Sequence, residues 1–287
     1  MSRLRIILLL LAFIVLTVLA ATAVITFQDS NPWTPSGKSR TAGSGTTHAT
    51  RAVDGKAKQL TTNQRLAVTR VLIQEQLANA PEYSTFFEQL KTSFPAANQR
   101  IFDGFADGVS KGSRIETADL YLAQALSGLR ASHGILAANA SPEALEKVFE
   151  LRAATLRALA SQDPKLCADF LYGATSRDFF KFSAANRKLV ASMMEADLNA
   201  IINGRTSKIE RQAPNAEDFG KLEEALRERK LEKPEIEMLL DMRNPDPPLA
   251  DTTVCKAGQI YYDVLRALPD DLKARIYALS LKLLART

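Results

Sequence analysis

Residues 141–159, SPEALEKVFELRAATLRAL, carry the marks of an α-helix from its cap to its buried face. Ser141 suits the N-cap, where its hydroxyl accepts from a free backbone N–H, and Pro142 suits the first helical position. Glu143 places an acid at the positive end of the helix dipole. Leu145, Phe149, Leu156 and Leu159 then recur at helical spacing and define one apolar face. The C-terminal stretch 269–286, PDDLKARIYALSLKLLAR, repeats the pattern. Asp270 and Asp271 open it, Leu272, Ile276, Leu279 and Leu283 form the expected stripe, and Lys282 and Arg286 sit near the negative end.

Between and before these two segments the same period continues. Helices are expected near 62–80, 82–93, 97–110, 116–131, 164–172, 184–203, 217–230, 234–242 and 252–268. Gly134, Gly173 and Gly204 stand where a glycine would stop a helix. No alternating run bounded by Asn-Gly or Asp-Gly turns indicates a hairpin. The expectation for residues 61–287 is therefore an all-α, bundle-like domain of about ten helices. A break into two sub-bundles is expected near 204–216, and a second helix-free loop at 241–250, DMRNPDPPLA.

The N-terminal end reads differently. Ile6–Phe27 is a run of 22 residues without a charge, preceded by Arg3 and Arg5, with the next basic residue at Lys38. At about 1.5 Å per residue such a run spans roughly 30 Å, the thickness of a bilayer's hydrocarbon core. The positive-inside rule keeps its N-terminus in the cytoplasm and places residues 29–287 outside, in the periplasm if the cell is bacterial. Residues 1–28 are thus expected to be a transmembrane signal anchor in the inner or plasma membrane. The alternative is secretion after cleavage near Ala23, where Ala21-Thr22-Ala23 resembles a cleavage site. Residues 29–60, rich in Ser, Thr, Gly and Ala, read as a flexible linker with a reach of roughly 30 Å.

The net charge of +5 belongs to this N-terminal part. Residues 1–60 hold seven basic and two acidic side chains, whereas residues 61–287 hold 30 of each sign. A neutral domain with interleaved charges, and with no aromatics spaced among its cations, excludes a phosphate-tracking surface and so a nucleic-acid partner. The two histidines and two cysteines, at 48, 133, 167 and 255, lack metal-ligand spacing, so no metal and no cofactor are expected. Cys167 and Cys255 are expected to form a disulfide in an exported chain.

Chemistry is thinly represented. His48 lies in the linker, and His133 precedes Gly134, where a cationic imidazole would favour a helix C-terminus. No nucleophile elbow, phosphate loop or metalloprotease motif is present. The least poor catalytic candidates are Glu143 and Glu150, which share a helix with Glu146. Phe179, Phe180 and Phe182 are too dense for one helix face and mark a candidate groove for a partner or an apolar ligand. The leading expectation is a non-enzymatic interaction or envelope-assembly module that docks an envelope protein or peptide. The alternatives are an envelope polymer hydrolase with a carboxylate pair, or a binder of an apolar ligand.

Overall fold

The helical period of the sequence is realised throughout the computed structural model, which describes residues 61–173, 176–241 and 245–285. Twelve α-helices and no strand occur among the described residues. They are α1 (Thr62–Ala78), α2 (Ser84–Ser93), α3 (Pro95–Ser110), α4 (Ala118–His133), α5 (Pro142–Gln162), α6 (Pro164–Leu171), α7 (Arg177–Ala185), α8 (Arg187–Ser207), α9 (Ala216–Glu228), α10 (Lys233–Asp241), α11 (Asp251–Ala267) and α12 (Asp270–Leu284). Short 3-10 segments occupy Pro81–Tyr83 and Gly134–Asn139. The anchor expected over 1–28 and the linker over 29–60 lie outside the described residues. Among the described residues, no helix is long and apolar enough to cross a membrane.

Local chemistry sets the helix ends. Ser141 Oγ accepts from the Ala144 N–H at 3.3 Å and caps α5, and Leu145, Phe149, Leu156 and Leu159 are all buried. Asn215 and Asp218 form a reciprocal capping box at the start of α9. Gly173, with φ 74°, follows α6 in the left-handed conformation expected of a helix stop. Gly204 does not stop α8, which runs on to Ser207. It is there because the backbone of the 134–139 segment crosses α8 at that point. A Cβ on residue 204 would stand 1.9 Å from the carbonyl oxygen of Leu136.

Two further expectations are corrected. The helix expected at 184–203 runs instead from Arg187 to Ser207, and a helix that was not expected, α7, occupies 177–185, capped by the Ser176 hydroxyl and separated from α8 by Asn186 at φ −125°. The face of α12 is also rotated. Leu272, Ile276, Tyr277, Ala278 and Leu281 are buried while Leu283 is exposed, because Tyr277 stacks on Phe149 of α5 with centroids 3.8 Å apart and turns that side inward.

One cluster of buried side chains runs from Ala80 to Leu281. It includes residues on both sides of the connection at 208–215, where the division into sub-bundles was expected. That connection is fastened to the 134–140 segment: the Ile209 N–H donates to the Asn139 carbonyl at 3.0 Å, and Arg211 donates to the carbonyls of Ala138 and Ala140. Cys167 and Cys255 form a disulfide, Cα to Cα 5.4 Å, that joins α6 to α11. A smaller cluster of Ile73, Ala106 and Tyr121 lies where α1 packs on α3 and α4.

Candidate functional site

Among the described residues buried carboxylates stand at three points, Asp197, Asp119 and Asp218, the last accepting from Arg275 of α12 at 2.6 and 3.0 Å. Asp197 of α8, 3% exposed, accepts from Arg152 of α5 at 3.0 and 3.2 Å and from Arg130 of α4. Arg152 also bonds Tyr262 of α11, while its Nε is buried without a partner. Burial alone would push the Asp197 carboxyl up, but the two guanidiniums outweigh it and hold the group below the usual carboxylate range. The second cluster centres on Asp119 of α4, which accepts from the Tyr83 hydroxyl at 2.6 Å and from Arg187 of α8 at 3.5 Å. Burial, then the bond to Asp119, pushes the Tyr83 phenol far up, so it stays protonated and donates. Both clusters tie helices together and leave no free acid or base.

The open site is a pocket of about 240 Å³ between α5, α11 and α12. The register of α5 supplies one wall, since Glu146, Phe149, Glu150, Ala153 and Arg157 share a face. Tyr262, Asp263 and Arg266 of α11 and Tyr277 of α12 complete it. Each of its acids is engaged by a cation. Glu146 faces Lys273 at 3.6 Å, Glu150 accepts from Lys147 at 2.9 Å, and Asp263 accepts from Arg157 at 2.5 Å with Arg266 at 3.9 Å. Burial raises the Tyr262 and Tyr277 phenols, which remain neutral. Among the described residues, no group of three acids, histidines or cysteines is placed to hold a metal.

Of the residues singled out from the sequence, Glu150 lies in this pocket and Glu143 does not. The Glu143 carboxyl is held low by its own backbone N–H and by the Ser141 hydroxyl, which suits capping rather than proton donation. Glu195, a carboxylate pushed up by partial burial, also lies outside the pocket lining. The phenylalanine run does not line an open groove. Phe179 and Phe182 are 4% and 1% exposed and pack in the core with Phe170, and Phe180 alone of the three is partly exposed. His133 is held low by burial and by Arg100 and Arg205, so the imidazole at the end of α4 is neutral at neutral pH rather than cationic. Its ring packs on Phe94, 4.7 Å between centroids.

Arg152 and Asp197 carry a signal in the sequence itself. Arg152 lies on the stripe of Phe149, Leu156 and Leu159, and Asp197 on that of Val190, Met194 and Ile201. A charge on an apolar face announces a buried partner of opposite sign. The pocket had no such signal, because its walls come from three helices separated in sequence. Comparison of the chain with protein-family models, with curated proteins and with solved structures yields no match.

Proposed function

We propose that this protein is a membrane-anchored, extracytoplasmic helical module that docks an envelope protein or peptide. The observation that carries the docking is the outer face of α1. Val68, Val71 and Leu72 stand at i, i+3 and i+4 and are 48, 53 and 36% exposed. A surface helix ordinarily has one apolar stripe opposite a polar face. α1 buries Ile73 on α3 and α4 yet carries a second apolar stripe on the other side. Full burial of such a side chain stabilises by about 1.5–3 kcal/mol. Three of them, set against the cost of association, support only a weak contact in free solution. A partner confined to the same membrane raises the effective concentration and makes a weak contact persist.

The address rests on the uncharged run at 6–27 with its flanking arginines, and the Cys167–Cys255 disulfide supports it, since such bonds persist in oxidising compartments. The carboxylate-hydrolase alternative is less well supported: the acids of the pocket are all paired with cations, and Glu143 serves a cap. The apolar-ligand alternative calls for an enclosed apolar cavity, whereas the pocket is open and rimmed by charges.

A photoreactive amino acid at Val71 of the full chain, activated in intact cells, tests the docking. We expect adducts to one protein from positions 68, 71 and 72 and none from Glu224 on the exposed side of α9. Equal adducts at both places, or none at either, would overturn it. A reporter active only outside the cytoplasm, fused after Leu60, tests the address, and a silent fusion ends it.

A further inference from the structure

We infer that the partner of the outer face of α1 is a second copy of this chain, docked α1 to α1 in antiparallel register. The inference rests on the reading of that face as a docking surface and names its occupant. Two features carry it: the apolar stripe and the charges set along its edge.

At about 100° per residue, Val68, Val71 and Glu75 lie about 140–160° round the helix from the buried Ile73. Arg65 and Leu72 stand about 80–100° from Ile73, on the flank toward which Val68 and Glu75 lean. All five are exposed. Among the described residues neither Arg65 nor Glu75 has an ion-pair partner within the chain. Arg70, on the opposite flank, is held by Asp103 of α3 at 2.5 Å. The free charges of the face are therefore one cation near its start and one anion near its end.

This arrangement is self-complementary in one direction only. Arg65 and Glu75 are ten residues apart, about 15 Å along the axis. A two-fold axis at the level of residue 70 brings Arg65 of each copy level with Glu75 of the other. The same axis sets Val68 level with Leu72 of the other copy and places both Val71 side chains beside it. Helices packed about 8–10 Å apart let arginine and glutamate meet across the edge of such a contact. Parallel register would set Arg65 against Arg65 and Glu75 against Glu75, and like charges repel.

A second copy also suits the strength of the contact. Three partly exposed aliphatic side chains per copy make six at the interface, too few to hold two free domains together. Copies anchored in one membrane through the tether proposed for 29–60 present α1 at the same height. Confinement then supplies the effective concentration that the contact needs. A lipid surface fits less well, because helices that lie on anionic lipid are rich in cations, whereas Glu75 stands in line with Val68 and Val71.

Photocross-linking between two tagged copies of the full chain tests the pairing. One copy carries a photoreactive amino acid at Val71, the other keeps valine there and bears a second tag, and both are expressed together and irradiated in intact cells. An adduct holding both tags is expected. Arg65→Glu or Glu75→Arg, made in both copies, should cut its yield about three- to tenfold. Both changes together in each chain restore opposite charges at each meeting point and should return the yield to the parent level. No foreign partner with fixed charges would show that rescue. Adducts to a different protein overturn the self-pairing and leave the docking face standing, whereas adducts to lipid alone, or none, overturn both. A two-tag adduct that the single changes leave untouched, or that the double change fails to restore, overturns the antiparallel register.

Discussion

The surroundings of Asp197 and the outer face of α1 invert the usual distribution of polarity in opposite ways. At Asp197 a carboxylate and the guanidinium of Arg152 are taken out of water. On α1 three aliphatic side chains are left in it. Burial of charge costs several kcal/mol per ion, and it is tolerated here because every partner comes from a different helix: α4, α5, α8 and, through Tyr262, α11. Exposure of aliphatic groups costs the isolated fold only what their burial would have gained. Inverted polarity inside therefore marks a joint of the fold, and inverted polarity outside marks a face that awaits cover.

The sharpest way to break this contrast is Asp197→Ala. It leaves two guanidiniums without their anion in the core, and a loss of about 3–5 kcal/mol is expected in denaturant unfolding. Replacing Arg130, Asp197 and Arg152 together by Met, Leu and Met should recover most of that loss, since a well-packed apolar core rivals a buried ion cluster. The same carboxyl sets an acid limb. Its folded pKa lies below the unfolded value of about 3.9, so its stabilisation is complete above that pH and is lost as pH falls through the folded value. Asp218, held low first by Arg275, adds to the limb in the same sense. Unfolding curves between about pH 5 and pH 2 should be flatter in Asp197→Ala than in the parent. An equally steep limb would assign acid lability elsewhere.

Removal of the disulfide by Cys167→Ser with Cys255→Ser comes next. The cross-link spans 88 residues and joins α6 to α11, and its loss is expected to cost about 2–4 kcal/mol. Hydrogen exchange should quicken in α6 and α11, where the link is lost, and remain unchanged in α1, which makes its contacts with α3 and α4. Equal loosening of α1 would show that the two regions are one cooperative unit and would blunt the contrast.

What could be read from sequence follows the same division between near and far. Helix spans rest on interactions within four residues, so caps such as Ser141 and stripes such as Leu145, Phe149 and Leu156 are visible in the chain itself. The errors arise where a distant element decides. Gly204 looks like a stop until Leu136 is seen to cross it, and α12 turns its face because Tyr277 meets Phe149. The start of the helix expected at 184 is a local exception: Asn186 departs from helical geometry and donates its side-chain amide to the Phe182 carbonyl, which ends α7 there. The pocket is the extreme case. Three separated helices build it, and only Glu150 among its residues stood out beforehand as a candidate for chemistry.

The smallest expected effect on stability is the most discriminating. Val71 is 53% exposed and its side lies opposite Ile73, so Val71→Asp should change the free energy of unfolding by no more than about 0.5 kcal/mol, as surface substitutions do. Ile73→Ala, two positions along the same helix, removes a fully buried side chain and should cost about 2–5 kcal/mol. If the outer stripe is a docking face, Val71→Asp abolishes in-cell capture from position 68 while the melting temperature stays put, because a carboxylate placed in a dry contact must be desolvated without a partner. Val71→Leu, which keeps the surface apolar, should restore capture. Substantial destabilisation by Val71→Asp would mean that the residue is already covered within the chain. The stripe would then belong with Asp197 as part of the joint, and the docking face would have to be sought elsewhere.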